Sequence, residues 1–174
     1  YDEALDYIIE LNRHGLEFQE YFASTILTKM LTCKDPGYVD LRSPAGIGMA
    51  GVIYNYDGTV YASDEARMLA EMKDSTFQLG TVEDSFETLY TNETFLRAVD
   101  ETFAYSAPMC TDCAFEPWCG ADPVFHWRQH HDMVGRKPES EFCQRNMHIF
   151  RGLISRMEKD PFVRRLFIRW AHTC

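Results

Sequence analysis

The feature that most constrains this chain is a cluster of cysteines in its second half. Cys110, Cys113 and Cys119 follow the pattern C-x2-C-x5-C, and Cys143 comes later, at the start of a predicted helix. Four thiolates suit either a tetrahedral zinc ion or a [4Fe–4S] cluster, because both take soft sulfur ligands. The spacing alone leaves zinc and iron open. It predicts that these four residues bind one metal centre.

A second interpretation is that the four cysteines are buried and bind nothing, since free cysteine packs as a small apolar residue. Their clustering argues against it. The chain has six cysteines, but with 174 residues and 45% hydrophobic content it does not need the disulfides on which small secreted domains depend. Cys33, at a predicted helix end, and Cys174, the last residue, are not assigned to the metal.

The charge of the chain argues against a nucleic-acid partner. Its 17 basic residues against 27 acidic ones give a net charge of −10. A chain with this charge does not present the positive surface that binds the phosphates of nucleic acid. No apolar run approaches the roughly 20 residues that a membrane-spanning helix needs. We expect a soluble cytoplasmic protein that binds neither nucleic acid nor membrane.

Helices are predicted near both ends of the chain. Apolar residues recur at helical spacing before Cys33, with a break near Gly15, which predicts two helices. Towards the other end, a helix is predicted from Ser140 to Met157. Asp160-Pro161 is expected to open a last helix, because proline suits the first helical position.

The middle of the chain is predicted to be less regular. Residues 35–51 are rich in glycine and proline and predict an extended loop. Alternating residues from Val52 to Val60, around Asp57-Gly58, predict a β-hairpin with a tight turn.

Three short helices are predicted between the hairpin and the cysteine loop. Ser63 or Asp64 is expected to cap the first, because a side-chain oxygen satisfies exposed backbone N–H groups there. Thr81 and Asn92 are expected to cap two more, which end near Phe103.

A polar stretch, His126–Pro138, follows the cysteine loop and is predicted to be irregular. Its histidines, His126, His130 and His131, are expected at the surface, although one of them could replace a cysteine ligand on zinc. The predicted fold class is α+β and mostly helical, with a small β-hairpin followed by helices and a cysteine-rich metal-binding loop.

Residues 43–145 resemble the C-terminal SPASM region of radical S-adenosylmethionine enzymes that modify peptides and proteins. That family's pattern is a first cysteine, a G-x4-C segment, C-x2-C-x5-C-x3-C and a final isolated cysteine, and it normally holds two auxiliary [4Fe–4S] clusters. The resemblance implies a SPASM/twitch-like fold. It also implies that Cys110, Cys113, Cys119 and Cys143 are the ligands of the second auxiliary cluster.

The chain departs from this pattern at three positions. The first cysteine position falls within Ser43–Gly46, which has no cysteine. Ser63 replaces the cysteine of G-x4-C, and Pro123 occupies the last place of C-x3-C. In two-cluster relatives these three positions serve the first auxiliary cluster. The resemblance therefore implies a member with one [4Fe–4S] cluster.

Three strings are similar to the radical S-adenosylmethionine maturase of the His-Xaa-Ser peptide system. This resemblance implies a parent enzyme that cleaves S-adenosylmethionine at a further cluster and acts on a His-Xaa-Ser repeat peptide. The present chain has no CxxxCxxC motif for that cluster, so we expect no radical chemistry from it alone. The matching strings are Tyr54–Tyr61, Ser63–Leu69 and Trp118–Val124.

Asp64 directly follows the former G-x4-C position. In the sulfatase-maturing relatives an acid there is the proposed general base, which implies that role for Asp64. A second interpretation is that Asp64 is a helix N-terminal acid that interacts with the helix dipole. Glu65 and Arg67 are each expected either to bind a peptide or simply to pair on an exposed helix face.

The resemblance divides the chain into three parts: a helical lead-in from a missing N-terminal barrel (1–42), a SPASM-like domain with one cluster (43–145) and C-terminal helices (146–174). The predicted function is an auxiliary [4Fe–4S] domain that relays electrons or organises a peptide substrate, next to its own N-terminal radical domain. Phe115 and Trp118 could shield the cluster. The alternative is a structural zinc-binding module that interacts with peptides and has no redox role.

Overall fold

The structure is a computed structural model that describes residues 1–136 and 139–173. Cys174 lies outside the described residues, and so does the end of the predicted His126–Pro138 loop. The chain divides into two compact units, one formed by residues 1–36 with 144–174 and the other by residues 37–143. None of the helices in the described ranges has the length and apolar character needed to cross a membrane.

Helices and a small sheet make up the regular structure. Short 3-10 turns lie at Val39–Leu41, Ala104–Ser106 and Glu116–Trp118. In the described residues the helices are α1 (Asp2–Arg13), α2 (Tyr21–Leu31), α3 (Asp64–Glu71), α4 (Phe86–Tyr90), α5 (Glu93–Glu101), α6 (Pro123–His130), α7 (Glu141–Lys159) and α8 (Pro161–Thr173), and the strands are β1 (Ile53–Tyr54), β2 (Thr59–Tyr61) and β3 (Gln78–Thr81).

The first unit is helical, and its core forms where α2 packs against α8. Polar side chains of α2 add to this packing. The Ser24 hydroxyl donates to the carbonyl of Trp170 over 3.0 Å, and the Thr28 hydroxyl donates to the carbonyl of Ala171 over the same distance. These hydroxyls satisfy carbonyls in the last turns of α8, which the helix itself leaves without partners.

The second unit contains the sheet, in which β1, β2 and β3 are antiparallel neighbours in that order. The β1–β2 turn is shaped by Gly58, whose φ of 85° suits glycine, and by Asp57, which accepts from the N–H of Thr59. The buried core of this unit includes Val60, Phe77 and Met133. Helices α3 and α6 pack together beside it.

The structure confirms most of the predicted elements. The two N-terminal helices, the hairpin and the helix that Ser63 caps are present, and so is the final helix that opens at Pro161. Asn92 caps α5 as expected, because its side chain accepts from the N–H groups of Thr94 and Phe95. The α+β, mostly helical class is therefore confirmed.

Two predictions about elements were wrong. Thr81 caps no helix: it lies in β3, and the cap of α4 is Ser85. The polar loop predicted from His126 begins instead as a helix, α6, which runs to His130. Asp122 caps this helix and Pro123 is its first residue. This cap and proline are a usual helix start, but the many polar residues that follow led to the prediction of a loop.

Candidate metal centre

Backbone turns shape the loop that carries the first three cysteines. The N–H of Cys113 donates to the carbonyl of Cys110 over 2.9 Å, and the N–H of Glu116 donates to the carbonyl of Cys113 over 3.1 Å. Further along, the N–H of Cys119 donates to the carbonyl of Phe115 over 3.0 Å. Tight turns therefore place all three cysteines on one short, folded segment.

Gly120 fixes this loop to the segment that contains Asp40 and Arg42. A Cβ at position 120 would lie 2.7 Å from the backbone nitrogen of Arg42 and closer still to the carbonyl of Asp40. The next residue, Ala121, donates its N–H to the carbonyl of Arg42 over 3.2 Å. Only glycine allows the two backbones to come this close. The contact fixes the position of the chain directly after Cys119.

Cys143 occupies the first turn of α7, and a buried polar pair fixes its backbone. Its N–H donates to the Ser140 hydroxyl over 3.4 Å, and that hydroxyl bonds to Nε2 of His126 over 2.8 Å. Ser140 and His126 are both fully buried. The helix start that carries the fourth cysteine is therefore tied to α6.

His126 corrects the prediction that the histidines lie at the surface. Its side chain is completely buried, whereas His131 is exposed as expected. His130 is half-buried. The burial of His126 could not be predicted from its spacing to Val124 and Trp127. Histidine counts as a polar residue when the period of apolar residues is used to predict a core face.

The four predicted ligands share one compact unit, residues 37–143. All four are half-buried, and none forms a disulfide. Cys33 is exposed in the other unit. As a donor set, four thiols fit a [4Fe–4S] cluster and equally a structural zinc ion.

The structure does not show these thiols gathered around a single ion. Across residues 1–136 and 139–173, no three histidine, cysteine or acidic side chains lie where they could hold one metal ion together. The assignment of Cys110, Cys113, Cys119 and Cys143 as ligands therefore stays a prediction. It rests on the chemistry of the donor set and on the loop that presents it.

At the three positions where the SPASM pattern has a cysteine and this chain does not, the residues have structural roles. In Ser43–Gly46, the Ser43 hydroxyl accepts from the N–H of Ala104 over 2.7 Å. Ser63 is buried and caps α3 by accepting from the N–H of Ala66 over 3.1 Å. Pro123 is buried at the first position of α6. Each residue now contributes to folding.

Asp64 is the first residue of α3, and its carboxylate is exposed. Nε of Arg67 lies 3.2 Å from this carboxylate, and Arg67 also approaches Glu71 at 4.0 Å. Arg67 therefore pairs along the exposed helix face, with Asp64 and Glu71. Asp64 has the surroundings of a helix N-terminal acid, and its proposed role as a general base stays a prediction.

A pocket of about 330 Å³ lies between α3 and α6, in the same unit. Near it, the indole N–H of Trp127 donates to Asp74 over 3.0 Å and ties α6 to the turn that follows α3. Burial tends to raise the pKa of Asp74, but hydrogen bonds from Thr76 and Trp127 outweigh it and lower that pKa. The lining residues are Glu65, Met68, Leu69, Met72, Asp122, Val124, Phe125 and Arg128.

Solved structures with a similar fold belong to a radical S-adenosylmethionine maturase, the anaerobic sulfatase-maturating enzyme anSMEcpe. Its histidine-tagged form with bound AdoMet gives a TM-score of 0.64 at 13% identity, covering 99% of this chain and 40% of that chain. Its native form with AdoMet and the Kp18Cys peptide gives 0.60 at 14% identity, covering 99% and 42%. The present chain thus spans about two fifths of that enzyme's length.

This similarity shows a fold like that of the C-terminal region of a radical S-adenosylmethionine maturase. It does not extend to the His-Xaa-Ser system. No protein-family model matches this chain. No curated protein matches it either.

Proposed function

We propose that this chain is the auxiliary-cluster region of a radical S-adenosylmethionine enzyme that modifies a ribosomally made peptide. The observation that carries the proposal is the fold similarity to a sulfatase-maturating enzyme over 99% of the chain. The four half-buried thiols of the unit 37–143 support it, because they supply the donors that such a region needs.

In this proposal the loop provides three ligands of a single [4Fe–4S] cluster, Cys110, Cys113 and Cys119. Cys143, at the start of α7, is the fourth ligand. Such a cluster supplies one-electron redox chemistry when bound. The protein's part is to hold the four sulfurs and to limit the access of water. Phe115 and Trp118, both half-buried in the loop, are suited to that second task.

The domain's contribution is to relay electrons or to organise the peptide. A peptide substrate is consistent with the Kp18Cys peptide bound to the similar enzyme. A His-Xaa-Ser repeat peptide is the finer proposal, and it rests on the resemblance of the strings around Tyr54, Ser63 and Trp118. S-adenosylmethionine and its own cluster belong to the N-terminal domain of the parent enzyme. Asp64 is our candidate general base in that enzyme.

The test is to purify the chain without oxygen and to measure iron, acid-labile sulfide and zinc per chain together with the visible spectrum. We expect about four iron and four sulfide, as one cubane requires. Cys119→Ser and Cys143→Ser should lose most of this iron. Cys33→Ser is the matched control, because Cys33 is exposed and lies in the other unit. Cys174→Ser should also keep the iron.

Two results would overturn the proposal. One zinc per chain, without sulfide or colour, would show the structural zinc module instead, since zinc has no redox chemistry. Equal iron in Cys119→Ser, Cys143→Ser and Cys33→Ser would remove the ligand assignment.

A further inference from the structure

We propose that the pocket between α3 and α6 is a subsite that binds one large apolar side chain of a peptide with acidic and basic flanking residues. This inference rests on the proposed peptide-modifying function and names the kind of segment that the domain would bind. The pocket lies wholly within the unit 37–143.

The face that α3 contributes follows from its sequence. Glu65, Met68, Leu69 and Met72 are spaced i, i+3, i+4 and i+7, so they lie on one side of the helix. Leu69 is buried, but Met68 and Met72 are 57% and 59% exposed. Two methionines on the lining of a pocket form an adaptable apolar surface, because their unbranched side chains can fit different partners.

The face that α6 contributes is held firmly in place. Val124 is buried, and Phe125 is half-buried beside it. Asp122 caps the helix by accepting from the N–H of Phe125 over 3.0 Å. The bond from Trp127 to Asp74 anchors the same helix. The apolar wall of the pocket is thus largely pre-formed, as in most ligand sites.

The size of the pocket favours one large side chain. Its volume of about 330 Å³ is at the small end of ligand-binding sites, which run from roughly 300 to 1,000 Å³. A phenylalanine or leucine side chain fits such a space, whereas an amphipathic helix would need several such pockets in a row. The expected occupant is therefore an extended peptide segment that inserts a single anchor.

The charges at the rim indicate what flanks that anchor. Three charged residues line the pocket. Asp122 is engaged as the cap of α6, whereas neither Glu65 nor Arg128 forms an ion pair within the described parts of the chain. Other arginines of this unit are paired, Arg67 with Asp64 and Arg97 with Glu101. A peptide with one basic and one acidic residue beside the anchor would complement Glu65 and Arg128.

The test is an NMR titration of the anaerobically purified chain with its methionine methyl groups labelled with ¹³C. The probes are acetyl-Lys-Phe-Asp-amide and acetyl-Asp-Phe-Lys-amide, which cover both chain directions. We expect the methyl signals of Met68 and Met72 to move with one of them, with a dissociation constant on the order of 1 mM. Met49 and Met109 are exposed elsewhere and should not move.

Two changes test the anchor and the charge separately. Replacing phenylalanine by alanine in the peptide should weaken binding at least about tenfold, because a large apolar side chain is no longer buried. Arg128→Glu should weaken it about threefold, and a peptide in which lysine replaces aspartate should reverse this loss. Arg151→Glu, the same change on an exposed residue of the other unit, should have no effect.

The inference is overturned if the methyl signals of Met68 and Met72 stay still with both probes, or if the alanine peptide binds equally well. Either result with about four iron per chain would leave the cluster proposal standing. The opposite case is a chain that holds one zinc and whose Met68 and Met72 methyl signals move when a peptide is added. It would support the subsite and overturn the cluster.

Discussion

Residues 43–63 and residues 107–119 differ in what the side chains do at the positions where the SPASM pattern has cysteines. Both regions contain backbone hydrogen bonds, but in the first the hydroxyls of Ser43 and Ser63 also accept from the N–H groups of Ala104 and Ala66. In the second region the bonds that form successive turns join backbone groups, as between Cys113 and Cys110.

The two regions therefore compare side chains that bond to the protein's backbone with thiols that we propose as cluster ligands. The positions in 43–63 that match cysteines of the SPASM pattern hold residues that bond to the protein's own backbone. In 107–119, successive turns of the backbone shape the loop that carries the thiols. If the cysteine loop depends on its contacts as proposed, changes at Gly120 or Ser140 should affect both stability and iron, whereas a change at Ser63 should affect stability alone.

The largest effect is expected from Gly120→Ala. Its new Cβ would collide with the backbone at Asp40 and Arg42, which no rotamer change can relieve. We expect a loss of about 3 kcal/mol in the free energy of unfolding, measured by urea denaturation, together with faster loss of iron. Gly51→Ala is the control, because a Cβ there meets nothing within 4 Å. Similar losses in both variants would contradict the role given to Gly120.

Ser140→Ala comes next. It removes a hydrogen bond to the fully buried His126 and the bond that fixes the N–H of Cys143. We expect a loss of about 2 kcal/mol in the free energy of unfolding, because a buried polar group loses its partner. Iron release to a chelator should also be faster than in Ser75→Ala, which changes an exposed serine. Unchanged release would show that Cys143 is positioned without Ser140.

Ser63→Ala tests the region without cysteines. The variant loses the cap of α3, which should cost about 1 kcal/mol in urea denaturation. Iron content should stay unchanged, because Ser63 is assigned no ligand role. A fall in iron similar to that of Cys119→Ser would mean that the two regions share the metal after all.

The smallest effect concerns Asp74. Because hydrogen bonds lower the pKa of Asp74 below the ordinary 3.8, its contribution to stability is complete above that value and is lost as the pH falls through the lowered pKa. Asp74→Asn should therefore cost up to about 1 kcal/mol near neutral pH and nothing in strong acid. Urea denaturation at both pH values, with Asp100→Asn as an exposed control, measures the difference. A loss that does not depend on pH would contradict this account.

The sequence predicted well wherever a local rule decides the structure. Ser63 and Asn92 start helices because their side chains satisfy backbone N–H groups nearby, and Asp57-Gly58 forms the hairpin turn for an equally local reason. The rules failed at Thr81, because Ser85 offers a competing cap four residues later. They failed again at His126, where packing rather than polarity decides burial.

By itself the sequence determined the helical ends of the chain, the hairpin and the C-x2-C-x5-C spacing of the cysteine loop, since spacing and local capping suffice for these. Only the tertiary structure decided that Gly120 must be glycine, that His126 holds the helix start of Cys143, and that α3 and α6 enclose a pocket. Each of these depends on atoms that are distant in sequence, such as Asp40 and Gly120, and no local pattern records such contacts.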